Sequence, residues 1–584
     1  MKKLFNRFCL IIIAAILGAC AKQSSPMGGP KDEDPPVLLS SDPKNESINI
    51  KPEKIDLEFN EYVELENPTQ SIIITPKIDK DKVEYIALKE HVLIDLNQEL
   101  EDSTTYVFNF QKSIQDITEG NPAENLKLVF STGETIDSLS VSGEVDYWFS
   151  EDKPDYKDIL VGLYINEDST DLFTSAPYYI AQVDTAGKYK ITNIKAGTFR
   201  AYAWYDENNS LKAEHRSEPY GFLSEPLEVN KNIENLQFNL NRADLSTLKI
   251  NRTSSTSGKF DVILSKELAN YTVFHQDKNT KLFFRKKDNN IRFYHTELIN
   301  DSTEVRLQLM DSVGVKIDTT LYARFDESDR SKEKIEISTA GETQFIDTIN
   351  AKLSFNKPIY QINYDSLYIA YDTASTLFIN PDMVSFADSS GSRTLLNINI
   401  PINDSIPYEK YKLIAADSTF QDVEMLWNEE KFEATYSRLK KDNLGDEISG
   451  KVPTDERPII IQLLDKSDNI VREKYLTETN QFSFTKLEAT NYKLRAIIDR
   501  NKNKAWDPGN INFNIQPEPV YFYYDEESKS KELILRGGWT LQDQILTKRR
   551  ETGLLINNKS KETYEIDEIP LSILEITTKD LIID

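Results

Sequence analysis

The sequence predicts an all-β protein, a string of disulfide-free β-sandwiches behind a short N-terminal leader and a flexible tether. Three observations predict it. Short runs of Val, Ile, Tyr, Phe and Thr recur roughly every 8 to 12 residues between Asn, Asp, Gly and Pro, and long helical periodicity is scarce. Aromatic residues make up 10 % of the chain, with 28 Tyr, as polar-tipped rings in β cores would require. One stretch of the sequence also occurs twice, a sign that a real structural unit is being reused.

The leader comes first. Lys2, Lys3 and Arg7 precede an apolar run, Phe8 to Leu17, that is too short to span a bilayer. It ends in Leu17-Gly18-Ala19-Cys20. A small-residue pair before a Cys resembles the lipobox of a bacterial lipoprotein. The resemblance implies a signal peptide over 1–19, cleavage before Cys20 and acylation at Cys20, with each buried CH₂ worth about 0.8 kcal/mol of membrane affinity. Cys9 leaves with the leader, so no disulfide is expected and each domain must rely on its own core. Net charge is −27, and losing the three leader cations takes it to −30. Such a surface repels nucleic acid and anionic headgroups, which leaves lipid as the anchor. Residues 20–35, rich in Ser, Gly, Pro and charge, read as a lipidated tether.

Over 36–133, "KIDLEFNEYVEL" alternates, with Ile55, Leu57 and Phe59 on one face and Asp56, Glu58 and Asn60 on the other, as in a half-buried strand. "SIIITP", "HVLIDL", "TTYVFNF" and "NLKLVFSTG" follow. This pattern closely resembles the bacterial Ig-like domain first described in S-layer proteins. Tyr106, after the Asp102–Thr105 turn, sits where a tyrosine-corner phenol ties a loop to a strand.

The repeated unit occupies 138–240 and 446–540. "VSGEV" (141–145) returns as "ISGKV" (448–452), and "ILVGLYI" (159–165) as "PIIIQLLD" (458–465). "GKYKITNIKAGTFRAYAWYDENNSLKAE" (187–214) returns as "NQFSFTKLEATNYKLRAIIDRNKNKAWDPG" (480–509), with Phe199 on Tyr492 and Asp206 on Asp499. Each copy resembles the transthyretin-like or carboxypeptidase-regulatory-like β-sandwich. Between the copies, 241–330 is β-rich and resembles no family. Residues 333–425 read as a degenerate second Ig-like domain, since Leu353, Phe355 and Ile359 echo the first. "EKFEATYSRLKK" (430–441) reads as a helical turn or linker, and 541–584 as a last strand and an acidic tail or a partner-docking strand. Such modules in tandem are expected to make a stiff rod. The order of tether, Ig-like domain and repeat resembles a family of Bacteroidota outer-membrane lipoproteins, which implies location and architecture but no activity.

Candidate chemistry is sparse. Asp499, Asn501, Asn503 and Asp507 supply oxygens at positions 1, 3, 5 and 9 of a Ca²⁺-type loop. The turn Gly is replaced by Lys504, position 12 is Asn510, and Arg500, Lys502 and Lys504 add positive charge. In the first copy Asp206 and Asn208 persist, Ser210 takes position 5, and Glu214 can complete a ligand set. Asp and Asn also form ordinary hairpin turns, so these loops read first as contact surfaces, with Trp204 and Trp506 at base or rim. No catalytic residue stands out: His91, His215, His275 and His295 fall in no G-x-S-x-G, H-E-x-x-H or Cys/His setting. His275 and His295 could still be cross-strand neighbours. No Gly-rich phosphate loop is present.

The expected function is a non-enzymatic outer-membrane lipoprotein, a scaffold or accessory subunit with outer-membrane protein partners. "AKQSS" separates the acidic "KDED" from Cys20, which favours the periplasmic face over the cell surface. An alternative is a glycan-binding lipoprotein that uses Trp148, Trp204, Trp427, Trp506 and Trp539; a second is a hydrolase.

Overall fold

The structure is a computed structural model that describes residues 33–149, 156–256, 258–275, 281–297, 302–326, 331–341, 343–372, 375–388, 391–403 and 410–554. The leader, Cys20 and the tail beyond Leu554 lie outside the described residues. No helix among them is long and apolar enough to cross a membrane. The architecture is essentially all-β and multi-sheet, with one core cluster for each of five successive modules.

In the first module the alternation read from the sequence is realised: Ile55, Leu57 and Phe59 point into the core while Asp56 and Glu58 face outward. Strand Lys54–Phe59 pairs antiparallel with Leu38–Asp42 and His91–Leu96, and Val83–Leu88 closes that sheet. The second sheet is Ile73–Thr75, Thr105–Asn109 and Lys127–Ser131. The buried Tyr106 hydroxyl accepts the Glu101 N–H at 2.9 Å, a tyrosine corner.

The two repeat copies share their strand pairing. Leu139–Tyr147 runs antiparallel to Lys188–Ile194 and parallel to Ile233–Leu240, as Leu444–Lys451 does with Gln481–Glu488 and Thr540–Lys548. In both, the parallel ladder slips one residue before a glycine, opposite a residue with positive φ, Asn235 or Asp543. The glycine is obligatory. A Cβ on Gly143 would lie 1.9 Å from the Leu236 carbonyl oxygen, and one on Gly450 1.9 Å from that of Gln544. Phe199 and Tyr492 take equivalent core places, opposite Leu227 and Leu533.

Several expectations need correction. Thr540–Lys548 is a strand of the second copy rather than of a terminal segment, because the parallel ladder needs it. Phe432–Arg438, read as a helical turn or linker, is a strand paired with Lys410–Ala415; Ala434 and Tyr436 bury on one face, so its period is two. His275 and His295 are not cross-strand neighbours, since His275 pairs with Val305 and His295 with Leu282 in different sheets.

The rod is also overturned, because the fifth module folds back onto the second. Trp148 and Phe149 of the first copy pack with Ile460, Ile497, Val520 and Trp506 of the second. Gly553–Leu554, just past the second copy, adds antiparallel to Ile233–Leu240 of the first. Asn510 of the second copy donates to the Val313 carbonyl of the third module at 3.1 Å. Buried lysines fix the other seams. Lys266 meets Asp311 and the Asp244 carbonyl within module three, where Arg216 of module two reaches Asp244 and the Ser265 carbonyl, and Lys357 in module four meets Asp422 and Glu424, the latter also bound by Lys259 of module three. Modules two to five therefore form a closed circuit, with the first attached at module two.

Candidate functional site

The Asp-Asn loops are built alike. In the second copy, Asp499 Oδ1 accepts the Asn503 N–H at 3.0 Å and Oδ2 the Lys504 N–H at 2.9 Å; in the first, Asp206 accepts from Ser210 and Leu211 at 2.9 and 3.0 Å. Asn501 and Asn208 each accept the N–H two residues on. Their amides donate onward, to Asp507 at 2.6 Å and Glu214 at 3.2 Å. A further carboxylate caps each loop: Glu518 accepts from the Arg500 and Asp507 N–H groups, and Glu218 from those of Glu207 and Glu214. Sequence reasoning missed these two residues. The signal was a Glu-Pro pair opening the next strand in both copies, Glu218-Pro219 and Glu518-Pro519.

Burial dominates the electrostatics of these loops. It pushes the Glu518 carboxyl up to about 7, with the Asp507 charge adding, and Asp507 up to about 6. Asp206 and Glu218 are raised in the same direction, again mainly by burial. The structure brings Asp499, Asn501, Asn503 and Asp507 together, but the Asn501 and Asn503 side-chain N–H groups face Asp507. A cation would have to turn both amides over. Among the described residues no group of three or more His, Cys, Asp or Glu is arranged to hold a metal ion.

As contact surfaces the loops serve the molecule itself. Trp204 is fully buried beneath its sheet, so it is not a rim residue, and Asp206 is buried with it. Leu211 of the first loop shares a cluster with Ile73 of module one. Trp506 of the second meets Phe149 edge-on at 4.6 Å and Trp148 at 6.5 Å, and its indole N–H bonds the Glu518 carbonyl at 3.0 Å. Asn208 stays exposed. The five Trp form no solvent-facing strip: Trp148 and Trp204 are buried, Trp427 and Trp506 half-buried, and Trp539 is exposed beneath Arg536.

Folding back opens a cleft of about 530 Å³ between the copies. The first copy lines it with Glu144, Asp146, Phe149, Tyr156, Gln237 and Asn239. The second contributes Asp468, Lys493, Arg495, Phe522, Tyr523 and Tyr524, with Lys531, Lys548, Arg549 and Arg550 around them. Two guanidinium groups lie over rings, Arg495 on Phe149 at 4.8 Å and Arg549 on Phe522 at 5.6 Å. Arg549 also clasps the copies, donating to Asp146 Oδ2 at 2.7 Å and to the Tyr147 carbonyl. Aromatic and charged side chains thus converge on one space, the makings of a ligand site. No local sequence pattern announces it.

Comparison with known proteins adds two matches. A family model described as a bacterial Ig-like domain matches residues 32–132, and one described as polysaccharide lyase family 4, domain II, matches 157–212. The chain therefore carries an N-terminal Ig-like domain and, downstream, a sandwich similar to that lyase domain. No curated protein matches. Among solved structures, dimeric latent PorU from Porphyromonas gingivalis is 9 % identical at a TM-score of 0.21, over 59 % of this chain and 45 % of that one. The Bacillus anthracis TIE protein is 9 % identical at 0.13, over 91 % and 77 %. Neither likeness carries an argument. Taken together, the chain is a multidomain β-sandwich protein without obvious catalytic machinery among the described residues.

Proposed function

We propose that this protein is a non-catalytic binding protein that takes a carbohydrate between its two transthyretin-like copies. The observation that carries the reading is the cleft, where the half-buried Tyr156, Tyr523 and Tyr524 stand on its walls. Flat rings suit the apolar face of a sugar, and phenol hydroxyls suit its own hydroxyls. The likeness of 157–212 to a domain of a polysaccharide lyase family supports a carbohydrate in particular. Binding by exposed Trp has no such support.

The test is a glycan array with the soluble chain, followed by titration of the best ligand against Tyr523→Ala. Binding that weakens tenfold or more in the variant, with no reducing ends released, fits the reading. Binding untouched by the variant, or ligand cleavage, sinks it.

The location belongs to the same proposal: an outer-membrane lipoprotein, acylated at Cys20 and facing the periplasm. Cys20→Ser should move the protein to the soluble fraction, and protease added to intact cells should leave the lipidated form whole. A second reading, a scaffold for outer-membrane proteins, is favoured by one observation. The edge strand Val83–Leu88 of the first module leaves Ile86 and Leu88 exposed, a surface on which a partner strand can add. Co-purification after mild detergent extraction, lost in an Ile86→Lys/Leu88→Lys variant, would select it.

A further inference from the structure

The third module keeps one long strand edge unpaired. Its core lies between a four-stranded and a three-stranded sheet, and Lys316–Ala323 closes the three-stranded sheet on one side. That strand pairs with Thr303–Met310 without a bulge and carries neither proline nor glycine. Among the described residues nothing pairs with its other edge. Ile317, Thr319 and Leu321 point to the core yet stay half-buried, and Tyr322 on the outer face is 63 % exposed. Natural sheets usually blunt such an edge with a bulge, a proline or an inward-pointing charge. Module four does not cover it. It packs on the outer face of the other sheet, where Phe283 and Tyr294 meet Val423, so the three-stranded sheet faces away from it.

The side chains of this strand complement themselves. Set two copies antiparallel with Thr319 opposite Thr319, and Ile317 meets Leu321 on the core face at both ends. On the outer face Lys316 meets the Tyr322 ring, and Asp318 meets Thr320. Arg306 and Gln308 of its own chain already hold Asp318, at 2.6 and 2.9 Å, so no bare like charges are brought together. A one-residue slip would set Ile317 against Tyr322, core face against outer face. A two-residue slip either way would set Thr319 against an aliphatic side chain. We infer that Lys316–Ala323 joins two copies of this chain in a symmetric dimer whose three-stranded sheets run on as one. The two-fold pairing is closed, so this contact stops at two copies. A single ladder lies at the small end of interfaces, below about 1,200 Å² in total, so the dimer is weak, with a Kd on the order of 10 μM.

The test is sedimentation of the soluble chain, without its leader and with Cys20→Ser, from about 1 to 300 μM at physiological salt, where repulsion between two negative chains reaches only about 8 Å. A monomer–dimer equilibrium is expected. Tyr322→Lys sets a lysine against Lys316 of the other copy at both ends and should weaken the dimer about tenfold or more, and adding Lys316→Glu should restore it. Both positions are exposed, so circular dichroism and melting should stay as in the parent. Thr319→Cys, then the only thiol, should link two copies by a disulfide on oxidation. A monomer at every concentration overturns the inference. So does a dimer indifferent to Tyr322→Lys, or one lost in Ile86→Lys/Leu88→Lys, which would place the contact on the first module. Assemblies that grow beyond two would mean pairing with another edge, such as Asn270–His275, and overturn it as well.

Discussion

The docking of the second copy on the first can be undone at two side chains, Trp506 and Arg549. Trp506 makes two ring contacts across the seam, with Phe149 at 4.6 Å and Trp148 at 6.5 Å, and such pairs are worth about 0.5–1.5 kcal/mol each beyond area burial. Arg549 donates to Asp146 and to the Tyr147 carbonyl, and a hydrogen bond to a charged group contributes about 1.5–3 kcal/mol. Trp506→Ala with Arg549→Ala should therefore remove about 4–9 kcal/mol, a factor of at least several hundred in the docking equilibrium. What remains there is the packing of Trp148 and Phe149 on Ile460, Ile497 and Val520, the hydrogen bonds of Asn241 to Pro508, of Asn514 and Gln516 to Ser224 and Phe222 and of Asn239 to Arg550 and Thr552, and the short pairing of Gly553–Leu554. Small-angle scattering should show a larger radius of gyration. Hydrogen exchange should speed up at Leu236–Gln237 and Gly553–Leu554 while Ile459–Leu464 and Asn491–Ile498 keep their protection. A scattering curve identical to the parent's, with slow exchange at Leu236, would refute the assignment of the docking energy to Trp506 and Arg549. Loss of protection in Ile459–Leu464 would mean that the second copy itself had unfolded, and then Arg549→Ala alone decides the matter.

Three further outcomes follow from named contacts. Gly143→Ala and Gly450→Ala each force a methyl against a carbonyl oxygen 1.9 Å away, so each should cost its own copy about 3 kcal/mol or more, read as faster exchange in that copy alone. Asp422→Ala leaves the fully buried Lys357 without its closest carboxylate and should destabilise the fourth module by about 3–5 kcal/mol, whereas Lys334→Ala at an exposed pair should be nearly silent in the same calorimetric scan. Glu518 has its carboxyl raised from 4.5 to about 7, and Asp507 from 3.8 to about 6, so the folded loop holds protons that the unfolded chain releases. Their contribution is thus fully present at low pH and fades as pH climbs through about 6 and 7. Trp506 fluorescence should report that loosening on the alkaline side. Added Ca²⁺ that moves the transition to lower pH would show the loop carboxylates binding it; an unmoved transition leaves Glu518 to cap backbone N–H groups and Asp507 to hold the Asn501 and Asn503 amides.

What was legible in the sequence was whatever repeats locally. Ile55, Leu57 and Phe59 alternate with charges, and that alternation alone fixes which face is buried. The two copies could be recognised because a glycine at a parallel-strand bulge and an aspartate capping its own turn tolerate few substitutes, so Gly143 returns as Gly450 and Asp206 as Asp499 even though the first copy carries an insertion between them. The seam was not legible. Trp148, Phe149 and Trp506 look like any core aromatics until a second surface is set against them, and no short-range period encodes that surface. The cleft shares this property, since it forms only where Asp146 and Arg549 meet across four hundred residues of chain. The "EKFEATYSRLKK" segment misled for a simpler reason: charged residues on the outer face of a strand mask its two-residue period.

The two-residue strand Gly553–Leu554, seated in the sheet of the first copy, changes how the molecule carries load. Beads on a thread pass tension from one to the next, and the weakest yields first. Here a tug arriving through the first module enters the second and divides between two routes, one through the third and fourth modules and one straight into the fifth. Neither route bears the whole force, and the packed seam with its small clasp joins them, so the contacts between the second and fifth modules govern whether this protein pulls out as a thread or holds as a frame.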